Sequence, residues 1–324
     1  MFALLGLSYP LLLLINIFFA LFWLFQFNLK AILSLGVLVL GISFFNQTFQ
    51  MRMPSKSNSS DIKIVSYNAG LFGYFQSKWH SGELLTKIKE LDADVVCVQE
   101  FLNLKDDNGR STFDTIRKSA GYKYAYFQNI KDGRKVGDYG MAIFSKFKII
   151  ENQLVHFDGL TGNMCLFTDL KIDTSVCRVY NVHLQSFKFK KQDYNFIKKM
   201  PDDNDEKLRQ SKSLLNRMKS AYVKRAEQVE SIRKHISDSP YPHFVIGDFN
   251  DPPLSYSYAK MSRGVKDAFV SKGSGMGKTY IGLMPNFRID YILFPDIYEC
   301  VSYETIKLSS DHSLLYTGLN YKNE

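Results

Sequence analysis

The chain has 324 residues, 45% of them hydrophobic and 23% charged, with a formal net charge of +9 and a pI of about 9.1. Such a composition excludes a disordered or collagen-like chain, and the positive balance first points to an anionic partner. The averages conceal a division: residues 1–60 hold none of the 32 acidic residues and only Lys30, Arg52 and Lys56 of the 41 basic ones, so residues 61–324 keep +6.

No charged side chain occurs from Met1 to Leu29, nor from Ala31 to Met51. Roughly 20 apolar residues cross a bilayer core as a helix, so two spans are expected, at roughly 5–27 and 31–50, making residues 1–52 a transmembrane hairpin. Tyr9 and Trp23 suit a membrane interface. A cleaved signal peptide is the competing reading; it requires a basic segment ahead of the apolar run, and none precedes Leu11. Two spans put the N-terminus and the body on one side of an integral membrane protein. Arg52 and Lys56 against Lys30 is too small a bias to say which side. Residues 53–61, containing Pro54-Ser55-Lys56-Ser57-Asn58-Ser59-Ser60, read as a polar linker.

Residues 62–322 alternate between strand and helix patterns. Ile62–Tyr67 is a strand, Glu83–Leu91 an amphipathic helix with Leu84, Leu85, Ile88 and Leu91 in register, and Asp94–Gln99 a buried strand. Phe113–Ala120 is a short helix closed by Gly121. Strands follow at 123–127, 140–144, 148–156, 163–172 and 175–184, joined without helices and hence antiparallel. A long helix covers Leu208–Ile236, and short strands cover 243–246, 288–294, 301–308 and 313–319. Hairpins mixed with helices predict an α+β body of two packed sheets flanked by helices. Cys97, Cys165, Cys177 and Cys300 show no CxxC pair and no metal spacing, so four buried free thiols are expected.

One design recurs along the body: a hydrophobic strand ends and a polar side chain follows at once. It appears at Val65-Ser66-Tyr67-Asn68, Val98-Gln99-Glu100, Asn181-Val182-His183, Ile246-Gly247-Asp248-Phe249-Asn250 and Arg288-Ile289-Asp290-Tyr291, and Ser309-Ser310-Asp311-His312 precedes the last strand. Any one of these alone reads as a turn residue. Six together, using Asn, Glu, His and Asp and no Cys, fit an oxygen-ligated Mg²⁺ or Mn²⁺ beside groups that handle phosphate.

These motifs, in this order, resemble the endonuclease/exonuclease/phosphatase (DNase I-like) superfamily, across most of residues 61–320. The Gly-Asp-Phe-Asn and Ser-Asp-His pair carries the resemblance. It implies a four-layered α/β/β/α sandwich over residues 62–322 and metal-dependent phosphoester hydrolysis. Glu100 would be the principal metal ligand with Asn68 and Asp311 beside it. Asp248 would orient or deprotonate the attacking water, and Asn250 would hold a phosphate oxygen. His312 would bind or protonate at the phosphate, polarised by Asp311. His183 would contact phosphate, and Asp290 would orient a His or the water network. The chemistry is coherent without the family: a cation neutralises the anionic ester, donors stabilise the pentacovalent oxygens and a carboxylate positions water. The substrate would be a phosphate ester of nucleic acid or of a phospholipid headgroup, with the bilayer itself a partner through residues 1–52. The rival reading is a non-catalytic membrane-tethered scaffold, which predicts that these positions are lost; they are all present.

Two further segments compete for attention. Gly273-Ser274-Gly275-Met276-Gly277-Lys278-Thr279 resembles a phosphate-binding loop, but five residues before Gly277 stands Lys272 where that pattern needs Gly. No nucleotide cofactor is therefore expected. Lys188, Lys190, Lys191, Lys198 and Lys199 interleave with Phe187, Phe189, Tyr194 and Phe196, which suits nucleic acid or anionic lipid. An ordinary solvated insertion is the alternative, since Asp202, Asp203, Asp205 and Glu206 follow directly.

Overall fold

A computed structural model of the chain describes residues 2–52, 59–76, 80–130, 138–157, 162–189, 191–199, 203–282 and 287–322. Most of the expected polar linker, residues 53–58, and Lys190 lie outside the described residues.

The elements run in the order α1 (Phe2–Phe25), α2 (Ala31–Leu40), α3 (Ile42–Thr48), β1 (Ile62–Asn68), α4 (Ser81–Glu90), β2 (Val95–Asn103), α5 (Thr112–Ser119), β3 (Tyr124–Asn129), β4 (Asp138–Ser145), β5 (Lys148–Val155), β6 (Met164–Ile172) and β7 (Ser175–His183). They continue with α6 (Lys191–Lys198), α7 (Asn204–Ser237), β8 (His243–Asp248), α8 (Tyr256–Met261), β9 (Val265–Asp267), α9 (Ala268–Lys272), β10 (Asp290–Pro295), β11 (Tyr298–Lys307) and β12 (Ser313–Tyr321). Sequence periodicity finds the long elements and misses α8, β9 and α9, which are too short to display a period, and also α6.

The described strands form two six-stranded sheets, ordered β11-β12-β1-β2-β4-β3 and β5-β6-β7-β8-β10-β9. Alternation along the strands sorts side chains into layers. Ile62 and Ile64 of β1 face the space between the sheets, where they join Val95, Cys97, Leu166 and Val179. Val65 and Tyr67 face outward beneath Leu84, Ile88 and Ile116 of α4 and α5. On the far side, Val229, Ile232 and Ile236 of α7 cover Tyr180, Val182 and Val245. Strands buried on both faces read as nearly continuous apolar runs, as Ile62–Tyr67 does. The body is thus an α+β fold with two mixed sheets inside helical layers. All four cysteines are buried free thiols.

Strand direction places the candidate site residues. Each sheet has one parallel pair at its centre, β1/β2 and β7/β8, bridged by α4 and α7 respectively. Each pair is flanked by antiparallel strands, β12 beside β1 and β10 beside β8. The C-terminal ends of parallel strands and the N-terminal ends of their antiparallel neighbours lie on the same edge. Asn68, His183 and Asp248 therefore end strands where Asp290 begins one and His312 immediately precedes one.

The apolar head differs from two straight spans. Ser8–Phe25 within α1 is long and apolar enough to cross a membrane. The second run is instead the pair α2 and α3, bent by 55° at Gly41. Glycine is a poor helix former, and Asn46 and Gln47 dilute the apolar run beyond it.

Candidate active site

Two sheets meet at the site through Asp248. Its carboxylate accepts the Asn250 backbone N–H at 2.7 Å and the Asn68 side-chain amide at 2.9 Å, the latter from the other sheet. Gly247 makes this possible. Its φ is +131°, and a Cβ there would lie 2.1 Å from the Val182 carbonyl of the neighbouring parallel strand. Asn250 also has positive φ, at 52°, and its side chain donates to the Leu184 carbonyl at 2.9 Å. Two imidazoles flank the same Asp248 oxygen, with Nε2 of His183 and of His312 each 3.8 Å away. Burial first, and the neighbouring Asp290 second, hold the Asp248 carboxyl above the usual carboxylate range, against the opposing pull of His312 and His183. The proximity to Asp290 follows from register, since the two residues are cross-strand partners.

Glu100 reaches the cleft because β2 is bulged. Val98 pairs with Ala142 and Phe101 with Gly140, so Gln99 and Glu100 together oppose one residue of β4. A bulge re-aims a side chain at the cost of ladder hydrogen bonds. Glu100 takes φ of 47°, its side chain is 36% exposed, and it lies 3.5 Å from His183 Nε2. The ladder is repaired from the opposite sheet. The buried Asn181 amide donates to the carbonyls of Val98 and Ala142 at 3.2 and 3.0 Å, and its oxygen accepts from Gln99 at 2.7 Å. Asn181→Leu preserves size and removes these partners. It is expected to destabilise the fold by about 1–3 kcal/mol for each buried group left unpaired. Denaturant unfolding would show this as a lower midpoint with an unchanged m-value.

His312 is polarised by Asp290, not by Asp311 as the sequence reading expects. Its Nδ1 lies 2.9 Å from Asp290 Oδ2. Asp311 is adjacent in the chain but lies in the bend before β12, and no Asp311–His312 side-chain hydrogen bond is among those of the described residues. Its carboxylate instead lines the cleft. Burial disfavours the His312 imidazolium, but the carboxylates of Asp290 and Asp248 outweigh it and raise the group to about 10. The turn before it is pinned to the end of β1: Ser310 donates to the Asn68 carbonyl at 2.9 Å, and Glu83 of α4 accepts the Ser309 N–H at 2.9 Å.

A cleft of about 320 Å³ opens above these groups, with Glu100, Asp248, Asn250, Asp311 and His312 in its floor. One wall is aromatic. Phe187 and Phe189 stack with centroids 5.2 Å apart, and Tyr194 of α6 meets Phe189 edge-on at 5.9 Å. Part of the basic and aromatic segment is thus cleft wall. Behind it stands Arg225 of α7, fully buried, which sequence reasoning misses. Its guanidinium donates to the carbonyls of Gln185 and Asn250 at 3.0 and 2.7 Å, pairs with Asp251 at 3.3 Å and supports the Phe187 ring at 4.6 Å. The available signal was its place in the stripe Ala221, Arg225, Val229, Ile232, where an apolar residue would be usual.

Oxygen donors dominate the open part of the site, as a hard divalent cation requires. Asp248, Asp290 and His312 also bring one potential ligand atom each within 4.8 Å of one another. The Asp290–His312 hydrogen bond already engages two of these three.

Residues 65–312 match the Endonuclease/Exonuclease/phosphatase family, and residues 1–48 match a domain of unknown function, DUF8431. No curated protein matches the chain in sequence. Among solved structures, the human Nocturnin catalytic domain with bound sulfate anion is 17% identical, the match covering 82% of this chain and 97% of that one at a TM-score of 0.56. D. rerio TDP2 complexed with a single-strand DNA product is 17% identical over 80% and 98% of the two chains, at 0.55. An endonuclease/exonuclease/phosphatase from Bacteroides vulgatus is 16% identical over 81% and 99%, at 0.56. Identities this low show a shared fold.

Proposed function

Since the chain belongs to the endonuclease/exonuclease/phosphatase family, we propose that it is a divalent-metal-dependent phosphoesterase held in a membrane by residues 1–52, with residues 53–61 as linker and 62–322 as catalytic domain. The observation that carries this reading is the Asp248 carboxylate, buried between two imidazoles and two asparagine amides on the floor of an open cleft. Glu100, Asp311 and the Asn68 amide oxygen would hold Mg²⁺ or Mn²⁺. The cation would neutralise the ester and act as a Lewis acid.

The chain's own groups account for the remaining chemistry. Asp248, with its raised proton affinity, orients water and takes its proton as the new P–O bond forms. His183 holds a non-bridging phosphate oxygen, where negative charge grows, and Asn250 joins it by turning its 3.3 Å hydrogen bond from Asp248 to the phosphate. His312, kept protonated by Asp290, delivers a proton to the departing oxygen as the ester P–O bond breaks. No covalent intermediate is needed.

Two substrate classes fit. The apolar head supports a phospholipid headgroup. The stacked Phe187–Phe189 shelf supports single-stranded nucleic acid, because bases stack on aromatic rings whatever their sequence. The test of the shared chemistry is hydrolysis of bis(p-nitrophenyl) phosphate by the full chain in detergent. Turnover is expected with Mg²⁺ or Mn²⁺, abolished by EDTA and restored by added metal. A scaffold that retains only the fold would give no turnover with either ion.

A further inference from the structure

The seam between the apolar head and the catalytic domain lies beside the catalytic cleft. Both ends of the hairpin meet the domain there. At the start, Gly6 of α1 packs so closely on Leu254 that a Cβ would lie 2.7 Å from its carbonyl oxygen. At the end, Gln50 pairs with Gly275 through two backbone hydrogen bonds of 2.8 and 2.9 Å, and Ser274 donates to the Arg52 carbonyl at 2.7 Å. Between these, the buried Arg288 donates to the Gln47 carbonyl at 2.8 Å and to Asp267 at 2.6 Å. Arg288 stands two residues before Asp290. The loop that resembles a phosphate-binding motif is therefore occupied with the head. Its Thr279 hydroxyl accepts the N–H groups of Ile289 and Asp290 at 3.0 and 3.1 Å, which sets the start of β10.

The opposite end of the hairpin points away from the body. Phe25, Phe27 and Leu29 are 83%, 98% and 81% exposed, and Lys30 lies 4.9 Å over the Trp23 ring, a pairing suited to a far membrane interface. With the tip at the far interface, the near surface of the bilayer falls at the seam. Pro252 and Phe287 line both the small cavity at that seam and the catalytic cleft. The cleft mouth and the seam thus share a wall.

We propose that the head is docked on the catalytic domain, not merely tied to it, and that this docking sets the cleft mouth against the bilayer surface so that the site hydrolyses phosphate esters of phospholipid headgroups. The inference rests on the phosphoesterase reading. A cleft of about 320 Å³ has the size of a small-ligand site, which a headgroup phosphate and its substituent fit. Its aromatic wall and Lys188 suit the amphipathic boundary at which a headgroup phosphate lies.

The experiment uses the full chain inserted in vesicles of phosphatidylcholine, phosphatidylglycerol and sphingomyelin with Mg²⁺ or Mn²⁺. Headgroup release is followed by mass spectrometry, beside bis(p-nitrophenyl) phosphate and an oligothymidylate in solution. Gly6→Leu forces α1 from Leu254. Gly36→Leu adds the same side chain where nothing lies within 4 Å and serves as control. Flotation verifies that each variant is inserted. The expected result is headgroup release by the parent, a loss of at least about tenfold in Gly6→Leu with soluble-ester turnover kept within about threefold, and no change in Gly36→Leu; Gly6→Ala should fall between. Unchanged headgroup release in Gly6→Leu, equal loss on both substrates, or cleavage of the oligothymidylate without headgroup release overturns the inference and leaves the phosphoesterase reading standing. Absence of turnover on every substrate overturns both.

Discussion

Asp248→Asn is expected to lower kcat about 10³-fold, within the range of 10²–10⁴ ascribed to a positioned acid or base, while metal binding measured by calorimetry persists. Three donors meet this carboxylate: the Asn250 N–H and the side-chain amides of Asn68 and Asn250, the last at 3.3 Å. An asparagine can still accept from the Asn250 backbone through its oxygen. Its amide then confronts the two side-chain amides, donor against donor, and one contact must open. The substitution also removes a buried negative charge beside Asp290, which relieves the repulsion between them. These effects on stability oppose each other, so thermal unfolding should move far less than the rate. The lost activity then belongs to chemistry: an amide cannot take the proton from water. Retention of more than about a tenth of the parent kcat would remove Asp248 from the role of base.

What the sequence could disclose follows from what its spacing encodes. Strand ends are local, so Asn68, His183, Asp248, Asp290 and His312 were legible as polar residues closing or opening apolar runs. Their convergence depends on the alternation of parallel and antiparallel neighbours, which no single strand carries. Glu100 was legible as a residue type, but not its bulge, because Asn181, which repairs the ladder, lies 83 residues from Val98. The partner of His312 was read only in part: Asp290 was expected to orient a His or the water network, but polarisation of His312 was assigned to Asp311. Proximity in the chain favoured Asp311, whereas the sheet edge where β10 begins brings Asp290 to the imidazole. Arg225 sits among the many Lys and Arg residues of α7, and only its place in the stripe with Ala221, Val229 and Ile232 distinguishes it from the solvated ones. The break at Gly41 was hidden by hydropathy, which counts apolar residues and is indifferent to helix direction.

Exchanging the partner of His312 gives the second large effect and separates the roles of two carboxylates, Asp290 at the start of β10 and Asp311 next to His312 in the chain. Burial alone would lower the proton affinity of His312, and the charges of Asp290 and Asp248 reverse that and raise it to about 10, with Asp311 contributing less than either. Asp290→Asn can keep a hydrogen bond to Nδ1 but not the charge. The imidazolium then loses its nearest counter-ion, its proton leaves at lower pH, and the alkaline limb of the kcat/KM profile should move down in pH. At neutral pH the donor for the departing oxygen becomes partly deprotonated and misheld, and kcat should fall about 10²-fold. Asp248 shifts in the same direction. Without Asp290 beside it, its carboxyl is less strongly raised, so the acidic limb should also move to lower pH. Asp311→Asn should leave the alkaline limb near its parent position. Its expected effect is on metal, with the Mg²⁺ concentration for half-maximal rate rising at least about tenfold as one charged ligand is lost. Should Asp311→Asn shift the alkaline limb and Asp290→Asn leave it in place, the hydrogen bond at 2.9 Å would not be the one that governs proton delivery.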